Sequence, residues 1–414
     1  MDPLFRLDEP VAPTATLPDI HPQTPVAALA RDLDPANLAR AFPVDLVAAL
    51  VGMAPTYIRV ALGARAATIT LAEVFSLLDL DAFAETFVPR SRIPAYLLAR
   101  RPVPVGLLPD PADQALIQGN ATDLLPRLRA GSVQCVVTST PYWGTRIYQD
   151  PALVTWADGE ECAFGHEQTP EGFIRHTAEL LFLLKPGLAP AASVWWNVMD
   201  TYNTRTQIRS NAAETLRAMQ GLDERGWWDF ACRRYSSGHS FLKDGDQCQI
   251  PGRIAERALR LGYWLKSVIT WKKSGSMPET VESRVTREAE YILHLSVQRT
   301  PFFDKSVYTR LPLDLGGRAA AEAEKLTDVW QLPTSGGLGG HGAQFPIGLP
   351  GRCIALSSRP GDLVLDPFVG SGTTILAADR LGRRGLGFDV SGTYLRAARS
   401  RIATGHSLAR LPGL

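Results

Sequence analysis

The spacing of hydrophobic residues divides the chain into a helical first part and a longer second part in which strands and helices alternate. Between residues 25 and 105, apolar residues recur every three or four positions in "VDLVAALVGM" and "TLAEVFSLLDLDAFAETF", which predicts short helices. Tight breaks at "MAPT" and "GARAAT" resemble a helix-turn-helix with residues 56–62 as its second helix. The pattern predicts a small all-helical domain that either reads DNA or serves packing and dimerisation.

From residue 106 onwards, apolar runs alternate with amphipathic stretches, which is typical of an α/β fold. "VQCVVTS" and "ASVWWNVMD" predict buried strands, and "EGFIRHTAELLFLLKPG" and "IPGRIAERALRLGYWL" predict helices. Near the C-terminus, "DLVLDPFVGSGTT" and "GLGFD" predict a strand, a glycine loop, a helix and a further strand. We therefore expect one α/β domain over 106–414, behind the helical domain over 25–105 and a disordered, proline-rich tail over 1–24.

Composition and charge restrict the kind of protein. The chain has 414 residues, of which 45% are hydrophobic and 21% charged, as in globular proteins. No apolar run reaches the roughly 18 residues that a membrane span needs, so no membrane partner is expected. Five scattered cysteines predict neither a metal site nor a disulfide framework and favour the cytoplasm. The net charge is +1, but residues 201–310 carry 18 Lys and Arg against 12 Asp and Glu, which favours a polyanionic partner.

The glycine loop (residues 370–372) indicates the class of ligand. Glycines between a strand and a helix let the backbone approach a ligand closely. The loop lacks the Lys of a triphosphate-binding loop and the third glycine of a dinucleotide site. Asp389 ends the next strand, where a carboxylate can accept hydrogen bonds from ribose hydroxyls. A ribose without a pyrophosphate indicates S-adenosylmethionine (AdoMet), with Asp366 facing its ammonium group and Phe368 forming an apolar wall.

Two motifs together resemble those of a known family. "TSTPYWG" and "DPFVGSGTT" look like the catalytic and AdoMet motifs of DNA amino-methyltransferases, which methylate the exocyclic nitrogen of cytosine or adenine. The catalytic motif comes first, as in the circularly permuted class called β. The stretches "GSMPETVESRVTREAEYILHLS", "PFFD", "DVWQLPTS" and "HGAQFPIGLPGRCIALSSRPGD" resemble the N4-cytosine branch, so the resemblance covers about residues 115–405. It implies a Rossmann-like, seven-stranded-type AdoMet-dependent methyltransferase sheet with target-recognition segments inserted at about 202–250 and 300–335.

The resemblance also gives the catalytic motif (residues 139–142) a role. An amino group on a base is a poor nucleophile because its lone pair is delocalised into the ring. Ser139 Oγ and the backbone carbonyl of Thr140, held by Pro141, can accept both amino hydrogens and free that pair. Tyr142 would stack on a base flipped out of the duplex, and Trp143 either extends this wall or belongs to the core. Catalysis would then rest on positioning and electrostatics, without a covalent enzyme intermediate.

Further contacts follow from the resemblance, with small departures from the family pattern. Thr140 stands where the family has a second Pro, Asn120 where it often has Asp, and Asp389 where Glu is more usual. Asn120 can still accept a hydrogen bond from the adenine N6 of AdoMet. The expected AdoMet-binding residues are Asn120, Ala121, Phe345, Asp366, Phe368, Gly370, Ser371, Gly372, Thr373 and Asp389. The expected DNA-binding residues are Trp143, Lys272, Lys273, Arg284 and Arg287.

The sequence therefore predicts a bacterial, cytoplasmic enzyme that transfers a methyl group from AdoMet to N4 of a flipped-out cytosine in double-stranded DNA. Ser139 favours cytosine because, in the family, Ser at this position goes with cytosine. One alternative is an N6-adenine methyltransferase, and another is a non-catalytic or RNA-directed nucleic-acid-binding protein of the same fold. The role would be restriction-modification or epigenetic. A cognate restriction endonuclease and a homodimer stay open as partners.

Overall fold

The computed structural model describes the greater part of the chain. The described residues are 33–53, 55–62, 67–78, 80, 93–99, 106–143, 152–156, 161–167, 169–203, 206–208, 231–233, 242–243, 245–273, 281–333 and 344–405. The predicted tail over 1–24 and most of the predicted recognition segment 202–250 lie outside them. Within the described residues, no helix has the length and apolar character that crossing a membrane requires.

The N-terminal region contains helices and one small sheet. Its helices are α1 (Pro35–Leu38), α2 (Val44–Val51), α3 (Pro55–Ala61), α4 (Leu71–Leu78) and α5 (Ile93–Ala99). Its strands, β1 (Ala41–Pro43) and β2 (Thr68–Thr70), pair antiparallel, so the expectation of an all-helical region is wrong at this point. Each strand has three residues and buries only its central one, Phe42 or Ile69. Strands of this length are too short to give an alternating pattern in the sequence.

The remaining strands follow from residue 114 onwards. They are β3 (Gln114–Gln118), β4 (Val133–Ser139), β5 (Val154–Thr155), β6 (Glu161–Cys162), β7 (Leu188–Val198), β8 (Thr206–Ile208), β9 (Ala231–Arg233), β10 (Trp264–Lys273), β11 (Ala289–Ser296), β12 (Val329–Leu332), β13 (Leu363–Asp366) and β14 (Arg384–Asp389). Strand β5 pairs with β6 and β8 with β9, each pair forming a separate two-stranded sheet.

The other eight strands form one mixed sheet in the order β12-β10-β11-β7-β4-β13-β14-β3. Among these eight described strands, only β11 runs antiparallel to its neighbours. The predicted α/β architecture is therefore confirmed, with one strand more than the seven expected. The extra strand is β12, which lies at the edge of the sheet and comes from the "DVWQLPTS" stretch. As a consequence, the carboxyl ends of the parallel strands share one edge with the amino end of β11.

Helices cover both faces of this sheet. They are α6 (Ala121–Leu124), α7 (Pro170–Leu184), α8 (Ile250–Arg260), α9 (Val307–Arg310), α10 (Gly348–Ser357), α11 (Thr373–Arg380) and α12 (Gly392–Gly405), with 3₁₀ turns at Leu125–Arg127, Lys185–Gly187 and Leu313–Leu315. The largest core cluster includes apolar residues of α7 and α8, and a second includes those of α10 and α11. Helix α7 begins where its sequence predicts, because Thr169 caps the backbone N–H of Gly172 and Pro170 opens the helix.

The described part of the predicted recognition segment 300–335 is anchored to α10. Arg352 of α10 is fully buried and binds both carboxylate oxygens of Glu322 at 2.7 Å. Its guanidinium also lies over the rings of Tyr308 and Trp330. Because a buried charge requires such partners, these contacts hold the segment against the sheet domain.

The two ends of the other predicted recognition segment meet beside the end of β7. The Asp200 carboxylate accepts hydrogen bonds from the backbone N–H groups of Gln249 at 3.1 Å and Ile250 at 2.9 Å. Gln249 has a positive φ of 59°, so the turn into α8 is tight. Asp200 therefore anchors the point where residues 202–249 leave the sheet and return to it.

Candidate active site

A cavity of about 150 Å³ opens at the shared edge of the sheet, where β4, β13 and β14 end. It joins the catalytic motif to the glycine loop in one space. The cavity is lined by residues 119–121, 139–142, 152, 154, 163, 164, 166, 344, 345, 366–371, 373, 389, 390 and 394. Every expected AdoMet-binding residue except Gly372 belongs to this lining. The residues expected to bind the cofactor and those expected to bind the base therefore line the same cavity.

Asp389 shapes the glycine loop from the neighbouring strand. Its Oδ2 accepts the backbone N–H of Gly370 at 2.9 Å, and its Oδ1 accepts that of Ser391 at 2.8 Å. Burial raises the pKa of Asp389, and these two backbone donors act in the opposite direction. The carboxylate thus borders the cavity in a fixed orientation, with lone pairs available to a ligand's hydroxyl groups.

Gly372 differs from its expected role in cofactor contact. It has a φ of 83°, which favours glycine, and it precedes α11. A Cβ at this position would come within 2.9 Å of Ala398 Cβ on α12. The glycine is therefore required by the close approach of two helices, and the cavity wall is formed by its neighbours Gly370, Ser371 and Thr373.

Asp366 borders the cavity, but its oxygens already have partners. The side chains of Thr138 and Thr374 donate to it at 2.7 and 2.6 Å, and the backbone N–H of Phe368 donates at 3.0 Å. Burial raises the pKa of Asp366 to about 6, although these hydrogen bonds oppose the shift. Asp366 therefore has a structural role, because its hydrogen bonds connect the strand of the catalytic motif to the start of α11.

Asn120 and Ala121 form the opposite wall of the cavity. The Asn120 side-chain oxygen caps α6 by accepting the backbone N–H of Thr122 at 3.2 Å. The backbone N–H of the preceding Gly119 donates to the Asp389 carbonyl at 3.0 Å, which fixes this wall to the end of β14. Phe345 is almost completely buried and closes a further side.

Arg401 is a charged residue near the cofactor end that the sequence did not point to. From α12 it donates to the Thr373 hydroxyl at 2.8 Å and to the Ser371 hydroxyl at 3.3 Å. The side-chain amide of Gln344 contacts Thr373 and, with its oxygen turned inward, accepts from Arg401 as well. Burial lowers the pKa of the Arg401 guanidinium. This cation therefore organises the residues that follow the glycine loop.

The catalytic motif stands beside a polar cluster drawn from three strands. Ser139 is paired with Asn197 across β4 and β7, and the Asn197 amide lies 3.3 Å from Ser139 Oγ. The Tyr142 hydroxyl lies 3.2 Å from Ser139 Oγ and makes a short hydrogen bond to Glu290. Lys273, an expected DNA contact, instead forms an ion pair of 3.2 Å with Glu290. Asn197 and Glu290 were missed from the sequence because only strand register brings them to Ser139.

Trp143 does not form part of the base-binding wall. It is 1% exposed, and its indole N–H donates to the Glu167 carbonyl at 3.0 Å, so it belongs to the core. Glu167 also accepts from the buried His176 at 3.1 Å, and His176 stacks on Trp156. The sulfur atom of Cys162 lies within 4.8 Å of both the Glu167 carboxylate and the His176 ring nitrogen. Glu167 therefore supports the catalytic motif through its contact with Trp143.

The remaining expected DNA contacts lie on one side of this edge. Lys272 is exposed at the end of β10. The guanidinium groups of Arg284 and Arg287 lie 3.9 and 4.9 Å from the Tyr202 ring centroid, and Arg287 donates to the Asp200 carbonyl at 2.6 Å. Arg284 and Arg287 therefore lie next to the anchored ends of the segment 202–250.

The polar and apolar groups around the cavity fit AdoMet. Asp389 offers a carboxylate to ribose hydroxyls, Asn120 offers an amide to a purine edge, and Phe345 and Phe368 offer apolar surface. The glycine loop exposes backbone beside them, and the catalytic motif completes the same wall. Fold and cavity together define an AdoMet-dependent methyltransferase.

Comparison with known proteins gives the family. The family model for N6/N4 methyltransferases, described as DNA methylase, matches residues 133–400, well over half of the chain. The type II methyltransferase M.XycI of Xanthomonas campestris pv. cyanopsidis is 32% identical over 287 residues, which cover 69% of this chain and 87% of the relative. M.Cfr9I of Citrobacter freundii is 30% identical over 292 residues, again covering 69% and 87%. The chain belongs to this family of DNA methylases, and AdoMet is its methyl donor.

The solved structures that resemble this chain are more distant. The cytosine-N4-specific PvuII DNA methyltransferase is 17% identical, with a TM-score of 0.48 over 72% of this chain and 92% of that one. A putative DNA modification methylase of Thermus thermophilus, complexed with S-adenosyl-L-methionine, is 24% identical, with a TM-score of 0.46 over 73% and 96%. The assignment to the family rests on the sequence matches.

Proposed function

We propose that this DNA methylase transfers the methyl group to the exocyclic N4 of a cytosine flipped out of double-stranded DNA. The observation that carries the proposal is Ser139, whose side chain lies in the cavity wall between the glycine loop and Tyr142. In the family branch that the sequence resembles, Ser at this position goes with cytosine. Hydrogen-bond capacity alone does not separate the two bases, because cytosine and adenine both set a ring acceptor beside the amino group.

The catalytic motif would act on the amino group through oxygen atoms. Ser139 Oγ would accept one amino hydrogen, and the Thr140 carbonyl, held by Pro141, would accept the other. Thr140 as a whole is 2% exposed and lines the cavity next to Ser139 and Pro141. Tyr142 would contact the base with its ring, while its hydroxyl stays within the polar cluster behind it. Bound AdoMet supplies an electrophilic methyl group, and the residues of the motif orient the nitrogen toward it.

The cofactor would be held by both walls of the cavity. Asp389 would accept hydrogen bonds from the ribose hydroxyls, and Asn120, with the adjoining Ala121, would contact the adenine. Phe345 and Phe368 would pack against apolar parts of the ligand. The methionine end of AdoMet would contact the backbone of Gly370 and the hydroxyl groups of Ser371 and Thr373. Asp366 would contact the same end of the ligand where it borders the cavity.

DNA would approach the edge of the sheet where the cations gather. Lys272, Arg284 and Arg287 would contact phosphate groups, which gives affinity without sequence information. The base sequence would then be read by the segment 202–250, whose ends lie beside these residues. The N-terminal region, whose apolar residues belong to the largest core cluster, would serve packing, dimerisation or additional DNA contact.

A role in a type II restriction-modification system is part of this proposal and is supported by the relatives. Both relatives described above are type II methyltransferases. A cognate restriction endonuclease would then share the target sequence, and methylation would protect the host DNA from it. Methylation-aware sequencing of a host that expresses the gene would identify this sequence. Lysate from the native organism should then cut unmethylated DNA at this sequence and leave the methylated host DNA intact.

The product nucleoside tests the proposed atom. DNA methylated by the purified protein is digested to nucleosides and analysed by mass spectrometry, and N4-methylcytosine is the expected product. N6-methyladenine as the sole product would overturn the cytosine proposal and leave the family assignment intact. Tritiated AdoMet incubated with genomic DNA and with total RNA separates the competing class. Label that enters RNA alone would refute the choice of DNA.

A further inference from the structure

The polar cluster behind Ser139 contains a hydrogen-bonded path that leads away from the cavity. Ser139 lies opposite Asn197 in the sheet, and Asn197 lies opposite Ile292. Glu290 is two residues before Ile292 on the same strand, so its side chain projects from the same face. The register of three strands therefore brings a carboxylate to the rear of the catalytic motif.

Both hydroxyl groups of this path donate in the direction that leads from the cavity to Glu290. The Ser139 hydroxyl donates to Tyr142 Oη at 3.2 Å, and the Tyr142 hydroxyl donates to Glu290 Oε2 through a short contact. Only Ser139 and Tyr142 of these three side chains line the cavity. The path thus begins at the cavity wall and ends at a carboxylate that is 7% exposed.

Two neighbours hold that carboxylate in place. The Asn197 amide nitrogen lies 2.8 Å from Glu290 Oε2 and 2.9 Å from Tyr142 Oη. Lys273 Nζ lies 3.2 Å from the other oxygen, Oε1, and provides the opposite charge that a buried carboxylate needs. The oxygen that faces Tyr142 is therefore fixed as the last acceptor of the path.

Methylation of an amino group requires such an acceptor. The nitrogen forms a bond to the methyl carbon while the bond from sulfur to that carbon breaks, and the sulfur keeps the electron pair. The nitrogen then carries one proton too many. Unless a base takes this proton, the product base leaves with a positive charge.

We propose that Glu290 Oε2 receives this proton through Ser139 and Tyr142, an inference that rests on the amino-methylation function proposed above. The amino proton passes to Ser139 Oγ, the Ser139 proton to Tyr142 Oη, and the Tyr142 proton to Glu290. Both hydroxyl groups end as they began, the nitrogen is neutral, and Glu290 holds the proton until it exchanges with solvent. Glu290 acts through other residues and does not itself touch the base.

Single-turnover methylation with the preformed complex of protein, AdoMet and DNA tests this path. Glu290→Gln keeps the size and an oxygen but has no strong base, so the rate should fall by about 100-fold or more, the usual size of a general-base effect. The affinity for S-adenosylhomocysteine should stay within about twofold, as the path does not touch the glycine loop. Glu288→Gln, an exposed change two residues earlier on the same segment, is the matched control and should leave the rate unchanged.

Chemical rescue distinguishes a proton acceptor from a merely structural anchor. Glu290→Gly should be as slow as the Gln variant, and added formate should restore at least tenfold with saturation, whereas chloride at equal ionic strength should not. A Gln variant that is as fast as the native protein, or slow variants that formate leaves slow, would overturn the proposal. If the native protein itself transfers no methyl group to DNA amino groups, the proposed function fails instead, before any variant is compared.

Discussion

Thr138 donates a hydrogen bond of 2.7 Å to Asp366 and so joins the strand of the catalytic motif to the strand of the glycine loop. Thr138 precedes Ser139 directly, and Asp366 is the last residue of β13. Both are buried, and Thr374 at the start of α11 completes the contact from the other side. The distance between the two halves of the cavity is therefore set by a hydrogen-bonded carboxylate rather than by apolar packing alone.

Replacing Asp366 with Asn should change how stability depends on pH. Burial raises the pKa of Asp366 to about 6, whereas an unfolded Asp titrates near pH 3.9. Between these values the folded protein holds a proton that the unfolded chain has released. The contribution of Asp366 to stability is therefore complete below about pH 4 and is lost as the pH rises through 6.

Urea unfolding of the native protein and of Asp366→Asn at several pH values between 4 and 7.5 measures this contribution. The free energy of unfolding of the native protein, relative to that of the variant, should decrease by on the order of 2–3 kcal/mol across the window and then stay level. A difference that increases with pH would contradict the direction of the pKa shift.

Asp389→Ala should weaken AdoMet binding without unfolding the domain. The change removes the acceptor for the backbone N–H of Gly370 and the proposed acceptor for ribose hydroxyls. We expect a loss of about 1–3 kcal/mol in calorimetric binding of AdoMet, the usual range for a buried charge-assisted hydrogen bond. Asp362→Ala is the matched control, because Asp362 also accepts a backbone N–H in a turn but lies at the opposite edge of the sheet. Equal affinities in both variants would argue against the assignment.

Ser139→Ala and Tyr142→Ala should abolish or cripple methyl transfer and leave AdoMet affinity nearly unchanged. Both side chains lie at the base side of the cavity, away from the Asp389 end, so the cofactor contacts persist. Tyr142→Phe keeps the ring and removes the hydroxyl that meets Glu290, and should therefore retain base contact while transfer slows. Ser132→Ala, before the opposite end of β4, serves as the control. Loss of AdoMet binding in place of loss of transfer would reverse the proposed roles.

Local signals made most of the fold predictable. Strand β4 was identified because its buried residues form a continuous apolar run, and α7 because its apolar residues recur with helical periodicity along neighbouring positions. Strand β12 was missed because four residues, of which only Trp330 and Leu332 are buried, give no pattern of their own. Its position depends on parallel pairing with β10, which lies more than 50 residues earlier.

The candidate site shows the same division. Motif residues such as Ser139 and Asp389 were found because their neighbours along the chain identify them. Glu290 was not, since its contact with Tyr142 joins positions 148 residues apart through strand register. The sequence did not decide whether Trp143 belongs to the base-binding wall or to the core. In the structure its indole N–H bonds to the carbonyl of Glu167, 24 residues later in the chain, and the residue is buried. Sequence spacing cannot contain these relationships, because they arise from the order of the strands.

Arg401→Met should weaken AdoMet binding although Arg401 lies behind the cavity lining. The substitution removes the donor that holds the hydroxyl groups of Ser371 and Thr373, so the loop after the glycines should lose its order. We expect a loss of about 1–2 kcal/mol in AdoMet binding by calorimetry. Arg399→Met, on the same helix but exposed and bonded only to the Leu116 carbonyl among the described contacts, should have no effect. Equal losses in both variants would mean that α12, and not the loop, is responsible.

Breaking the Arg352–Glu322 pair should destabilise the domain far more than breaking a surface pair. Both side chains are at most 2% exposed, so removing one partner leaves an uncompensated buried charge, which costs about 3–5 kcal/mol. Arg352→Met and Glu322→Gln should each show this loss in urea unfolding. The double variant should be less destabilised than the sum of the single ones, because no charge is then left unpaired. The control is Arg380→Met, whose partner Asp314 is 57% exposed, and its effect should be at most about 1 kcal/mol. Additive losses in the double variant would show that the segment 300–333 is held by its apolar contacts instead.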